Sequence, residues 1–197
     1  MIRSFVVLST VAIVFPSESL SQDTVRYLYQ IPLEQHPETG RVYFEEVVQA
    51  PGISKSELYN RAREWFVRSF NSAESVLQMD DREAGKLAGR GWTNIEIESL
   101  QAIWQFKLKF LIMIELREGR YKLTFTDIEY QGHPTPKDIN PASIPCESVI
   151  IDNLLKKNGE PKHVPRQYKE QTIKTWRRFS SELKDALARP MGAEDDW

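Results

Sequence analysis

The stretch WQFKLKFLIMIEL, Trp104 to Leu116, constrains this chain more than any other. Trp104, Phe106, Leu108, Phe110, Ile112, Ile114 and Leu116 are apolar at every second position. That is the period of a strand with one face in a core. Gln105, Lys107 and Lys109 take the other face, joined there by the apolar Leu111 and Met113.

Glu118-Gly119 separates this strand from RYKLTFTDIEY, Arg120 to Tyr130. A two-residue hairpin loop at that point sets Leu116 opposite Tyr121, Ile114 opposite Leu123 and Ile112 opposite Phe125, all on one face. On the other face Glu115 meets Lys122, an opposite-charge pair worth ~0.2–1 kcal/mol. Carried down the hairpin, the same register puts Ile128 and Tyr130 on the side of Leu111 and Met113. These four are the candidate partner or ligand face. Either the N-terminal segment or the proline-rich connection covers it, or it is an exposed apolar patch that marks a binding site.

The rest of the chain supplies neighbours. Val25–Leu33 is strand-like but interrupted by Pro32, and Glu34–Gly40 is a turn cluster. Arg41–Gln49 reads as a strand. Ser54 followed by Glu57 is a capping box, and Ile53 with Leu58 makes a hydrophobic staple. Leu58, Ala62, Trp65, Phe66 and Phe70 then follow one helical face, with Asn60, Arg61, Arg63, Glu64 and Arg68 opposite. Val76–Met79 is a short strand that returns from Lys86. Asp80–Gly85 is the loop between them, with Gly85 supplying a positive φ. Gly89 and Gly91 leave space for the helix and its Trp65.

Beyond Tyr130, prolines 134, 136, 141 and 145 mark an irregular connection over 131–165, with a short helix expected over Glu147–Gly159. Ile173, Trp176, Phe179, Leu183, Ala186 and Leu187 mark a second amphipathic helix over 166–189. Residues 190–197 form an acidic tail. The order predicts one α+β domain: a single antiparallel sheet with two main helices packed on one face.

The N-terminus speaks to location. Arg3, an apolar run Phe5–Phe15 and the small residues Ser19 and Ser21 fit a cleavable secretory signal over 1–21. The run is shorter than the ~20 residues that span a bilayer. The expectation is an exported chain, periplasmic or secreted, with one domain over 22–189 and no transmembrane anchor after cleavage. Cys146 is the single cysteine, so there is no internal disulfide and no lipidation site after the apolar run.

Three stretches together, ETGRVYFEEVVQAPGISKSELYNRAREWF, DDREAGKLAGRG and ELREGRYKLTFTDIEY, resemble an exported bacterial family. That family is classed as a domain of unknown function with a TBP-like fold, a curved TATA-binding-protein-like sheet with helices on one side. The resemblance covers Thr39–Tyr130. It implies the curved sheet and an envelope location, but no activity and no catalytic residues. The fold's name implies nothing about DNA. A net charge of −2, without Lys and Arg clustered on the strands, argues against a nucleic-acid partner.

No catalytic, cofactor or metal site assembles from the sequence. Gly85, Gly89 and Gly91 lack the spacing of a phosphate loop. Asp80, Asp81 and Glu83 lack the spacing of a calcium loop. His36, His133 and His163 stand alone in turn-like segments, and Cys146 has no neighbour that would activate it. Glu45 and Glu46 are adjacent on a strand, so they point to opposite faces and cannot act as a pair. The expected function is a non-catalytic binding or assembly module of the cell envelope, with an unidentified protein or small ligand as partner. The alternatives are a small hydrolase-like enzyme with a scattered site, or a binder of a small lipid or peptide.

The turn assignment is directly testable. Gly85→Val is expected to lower stability by ~1 kcal/mol or more through backbone strain. A denaturant midpoint equal to the parent's would refute the turn.

Overall fold

The predicted hairpin forms the centre of the sheet. In this computed structural model, which describes residues 28–70, 77–135 and 138–189, strands β5 (Ala102–Arg117) and β6 (Arg120–Gly132) meet at Glu118-Gly119. Leu116 pairs with Tyr121, Ile114 with Leu123 and Ile112 with Phe125, as the alternation requires. Lys122 Nζ reaches Glu115 Oε1 at 2.8 Å on the far face. The expected leader over 1–21 and the tail over 190–197 lie outside the described residues.

Six further strands and helices complete the core of the domain around this hairpin. They are β2 (Val42–Gln49), α1 (Lys55–Ser69), β3 (Leu77–Asp81), β4 (Lys86–Ser99), α2 (Cys146–Ile150) and α3 (His163–Ala188). Two short strands, β1 (Glu34–Gln35) and β7 (Ser143–Pro145), extend the edges. The order is β1-β2-β6-β5-β4-β3, with β7 on β6, and every pairing is antiparallel. This is the α+β architecture that the order of elements predicts.

One face of the sheet carries both main helices. Helix α1 starts where its cap predicts: Glu57 N donates to Ser54 Oγ at 3.2 Å. Leu58, Ala62, Trp65 and Phe66 are buried against Leu87, Ile95, Ile112, Ile114 and Phe125 of the sheet and Leu183 and Leu187 of α3. Phe179 of α3 sits at the centre. Its ring centroid lies 5.1 Å from Phe110, 5.5 Å from Phe70, 6.1 Å from Trp65 and 6.4 Å from Phe125. One side chain thus ties α3 to α1, β5 and β6.

Several expectations need correction. Beyond Thr126 the register slips: Leu111 is opposite Thr126 but Lys109 is opposite Glu129. Strand β6 holds one extra residue there, and Asp127 takes a positive φ of 49°. Such a bulge reverses the facing of all that follows. Ile128 and Tyr130 therefore turn to the helix side, where they are fully buried, away from Leu111 and Met113. Arg61 was expected on the solvent face, yet it is buried and its Nη1 donates to the Leu187 carbonyl at 2.5 Å. Carbonyls in the last helical turn lack partners within the helix, so the guanidinium closes the end of α3.

At the N-terminal end, Leu28–Gln30 form one 3-10 turn rather than part of a strand, while Val25–Tyr27 lie outside the described residues. Helix α2 ends at Ile150, well short of Gly159, because the amides of Ile151 and Asp152 both fall on the Glu147 carbonyl. Helix α3 begins at His163, before Pro165. The first helical turn has no use for the missing proline N–H.

Gly85 and Gly91 act where expected, with one change of partner. Gly85 has φ +68°, and a Cβ there would lie 2.7 Å from the Leu116 carbonyl oxygen. Its own carbonyl accepts from Leu116 N at 2.8 Å. At Gly91 the space is filled by Phe70, not Trp65: an added Cβ would lie 2.6 Å and 2.9 Å from the Phe70 ring. Gly91→Ala should therefore push Phe70 off the aromatic cluster and cost ~1–3 kcal/mol, the range for overpacking. Chemical denaturation measures it. A loss below the experimental error would show that Phe70 has room to move.

Candidate functional site

The sheet face opposite the helices is the candidate interaction surface, because no described helix covers it. Alternation along five strands decides what it displays. Across the middle, β2–β3 present Glu45, Thr124, Met113, Ala88 and Met79 in one row. The next rows hold Thr126, Leu111 and Arg90, then Glu129, Lys109 and Trp92. Leu111 and Met113, two of the four candidate residues, do lie here and are half-buried. Ile128 and Tyr130 do not, because of the bulge.

Apolar side chains on this face are scattered between charge pairs. Trp92 is 53% exposed, Val47 55% and Met79 47%. Lys107 Nζ stands 4.4 Å from the centre of the Trp92 ring. Arg90 pairs with Asp127 at 2.7 Å, so the bulge residue itself is held by a salt bridge. Lys122 lies between Glu115 and Glu45, at 2.8 Å and 3.4 Å. The Glu115 hydrogen bond raises the Lys122 pKa, and Lys122 lowers that of Glu115. Pairs this exposed contribute only ~0.2–1 kcal/mol each. They fix the pattern of the surface more than the stability of the fold.

Other titratable groups serve the fold. Glu45 and Glu46 point to opposite faces, as their adjacency dictates. Glu46 meets α3, accepting from Ser180 Oγ at 2.6 Å and Lys184 Nζ at 2.5 Å. Burial alone would raise its pKa, but those two donors hold it below the ordinary carboxylate value. Burial pushes the Cys146 thiol well up, with the Glu147 charge adding to the effect. A buried protonated thiol is a poor nucleophile. His163 Nε2 lies 3.0 Å from the Gln167 amide, and His36 Nδ1 accepts from Glu38 N at 3.3 Å. His133 Nε2 is buried without a partner among the described residues. No group of three or more His, Cys, Asp or Glu gathers among the described residues to hold a metal ion.

Sequence reasoning missed a second feature, a shallow groove of about 550 Å³ between α1 and the edge strand β3. Asp80 stands at its centre, accepting from Tyr59 Oη and, at 2.9 Å, from Arg63 Nε. The Tyr59 bond lowers the Asp80 pKa more than burial raises it, and Arg63 adds to the effect. The Tyr59 phenol is pushed up to about 12, by burial first and then by its bond to Asp80. Arg82 donates to Asn60 Oδ1 at 2.9 Å and Ser56 Oγ at 3.1 Å. The signal was legible in part. Tyr59 and Arg63 are four apart, hence on one helical face, but nothing local pointed them at Asp80.

Similarity to known proteins agrees with this architecture. Residues 44–131 match the family model described as a domain of unknown function (DUF4468) with TBP-like fold. A crystal structure of a DUF4468 family protein from Bacteroides ovatus superposes with a TM-score of 0.65 at 17% identity, covering 81% of this chain and 92% of that one. A TBP-like protein from Parabacteroides distasonis gives 0.58 at 18% identity, covering 79% and 96%. No curated protein matches this chain.

The Asp80 cluster generates a pH test. A carboxyl whose folded pKa is depressed stabilises above its unfolded pKa of about 4, and that contribution is lost as pH falls through the folded value. Asp80→Asn should lower the thermal midpoint at pH 7 by about 1–2 °C, a figure discounted for solvent screening. The gap should close as pH falls through that depressed folded value and the parent's carboxyl becomes neutral. A gap independent of pH would assign the loss to packing rather than charge.

Proposed function

We propose that this chain, whose residues 44–131 match the DUF4468 family model with TBP-like fold, is a non-catalytic binding or assembly module of the bacterial cell envelope. One observation carries the reading: a sheet face clear of every described helix displays the half-exposed Trp92 beside Leu111 and Met113, among charges already paired with each other. Self-paired charges spare a partner much of the desolvation of lone ions, and an exposed aromatic ring is the usual anchor of a protein contact. The envelope location rests on the basic, apolar and small-residue pattern of residues 1–21.

A deep pocket holding His133 or His163 beside a carboxylate would favour the hydrolase alternative. His163 is bonded to Gln167 instead, and neither histidine lines the groove at Asp80.

The test replaces the face without touching the core. Trp92→Ala should keep the parent's thermal midpoint to within about 2 °C, as surface changes do, and a double Leu111→Lys, Met113→Lys variant, at half-buried positions, should stay folded at a lower midpoint. Both should lose the partner that the parent retains from envelope extract on affinity capture and size exclusion. A parent that holds no partner yet turns over a hydrolase substrate would overturn the reading.

A further inference from the structure

The turn that joins β4 to β5 is built from residues that such turns avoid. Leu100 and Gln101 both have positive φ, 52° and 63°. Two-residue hairpin turns of that shape favour Asn and Gly, because a Cβ is strained there. Leu100 is nonetheless 96% exposed. Ile103 is 64% exposed and Trp104 56%. As adjacent strand residues they lie on opposite faces of the ribbon, so the tip is apolar at its apex and on both sides.

The ribbon behind this tip is firmly held. Ile95 and Ile97 are buried in the core. Gln167 of α3 lies on the free edge of β4 as a strand would: Glu98 N donates to its Oε1 and its Nε2 donates to Glu98 O, both at 2.8 Å. Two more exposed apolar residues adjoin elements that end near this ribbon: Ile139, 83% exposed, follows the β6 terminus at Gly132, which pairs with Phe106, and Leu155, 55% exposed, precedes the start of α3. The chain also enters there. Tyr29 lies under the Arg166 guanidinium in the first turn of α3, 5.5 Å from ring centre to Cζ.

We propose that this pole of the domain, with Leu100 at its apex and Ile103 and Trp104 on its flanks, inserts into a lipid surface. A folded partner would ordinarily cover one face of a ribbon, whereas acyl chains surround it, which matches apolar residues on both faces. Tryptophan suits the headgroup boundary. Glu98, opposite Ile103, and Glu96, opposite Gln105, flank the tip and limit insertion to it, while Lys162 and Arg166 at the start of α3 bring the opposite charge to this pole. The occupant that suits such mixed charge is a zwitterionic bilayer, held by apolar burial rather than charge. This goes beyond the sheet-face reading and uses different residues.

The test is co-sedimentation of residues 22–197, which retain every described element, with phosphatidylcholine vesicles. The parent should bind, and should still bind in about 0.5 M salt, where exposed charges are screened. Leu100→Gly should weaken binding several-fold without lowering the thermal midpoint, since glycine relieves the φ of 52°. Leu100→Asp with Ile103→Asp should weaken it tenfold or more. The sheet-face variant Trp92→Ala should bind vesicles as the parent does, so failure of one reading leaves the other standing. A parent that does not sediment, binding abolished by salt, or Leu100→Gly binding equal to the parent's would each overturn the proposal. So would a concentration-dependent dimer that Leu100→Gly dissolves, which would assign the tip to a second copy.

Discussion

The aromatic contact of Phe179 with Phe110, Phe125, Phe70 and Trp65 is the interaction on which the arrangement depends. Neither helix can bury its apolar stripe alone, and the sheet has one continuous apolar face to offer. Phe179 is where the three meet. The requirements around it are steric. Gly91 must have no side chain so that the Phe70 ring can approach β4 closely. Phe110 and Phe125 must be near neighbours on adjacent strands, 4.8 Å between ring centres. Polar braces then fix the helices at the margins of this cluster. Arg61 of α1 closes the carbonyl end of α3, and Glu46 of β2 accepts from Ser180 and Lys184.

The bulge at Asp127 shapes the two faces of the sheet. Without it, Ile128 and Tyr130 would lie beside Leu111 and the helix-free face would be strongly apolar. With it, both residues join the core, and Tyr130 Oη meets Thr172 Oγ1 of α3 at 2.7 Å. The face that remains is polar and self-paired, with Trp92, Val47 and Met79 spaced across it.

Leu100, Ile103 and Trp104 follow a different logic. They belong to the same regular ladder as the core residues, for Ile97 is opposite Trp104 and Ser99 opposite Ala102. There α3 meets the free edge of β4, its Gln167 bonded to Glu98, and leaves Trp104 half-exposed. Apolar alternation that helps specify a strand inside the domain becomes, a few residues further on, an exposed apolar tip.

The sequence by itself determined whatever local periodicity can encode. The alternation of Trp104–Leu116 made a strand, Glu118-Gly119 made its hairpin, Ser54 and Glu57 set the start of α1, and Gly85 made a corner. Each depends on residues near one another in the chain, so each was legible. Tertiary structure decided the rest. TFTDIEY reads as unbroken alternation, yet the extra residue at Asp127 turns Ile128 and Tyr130 into the core, where Tyr130 reaches Thr172 of α3. Arg61 looked solvated until the end of α3 arrived beside it. Phe70, rather than Trp65, took the space at Gly91 because the angle of α1 on the sheet is set by every contact at once. Long-range packing chooses among local options that the sequence leaves nearly equal in energy, and that choice is what turned two of the four expected surface residues into core.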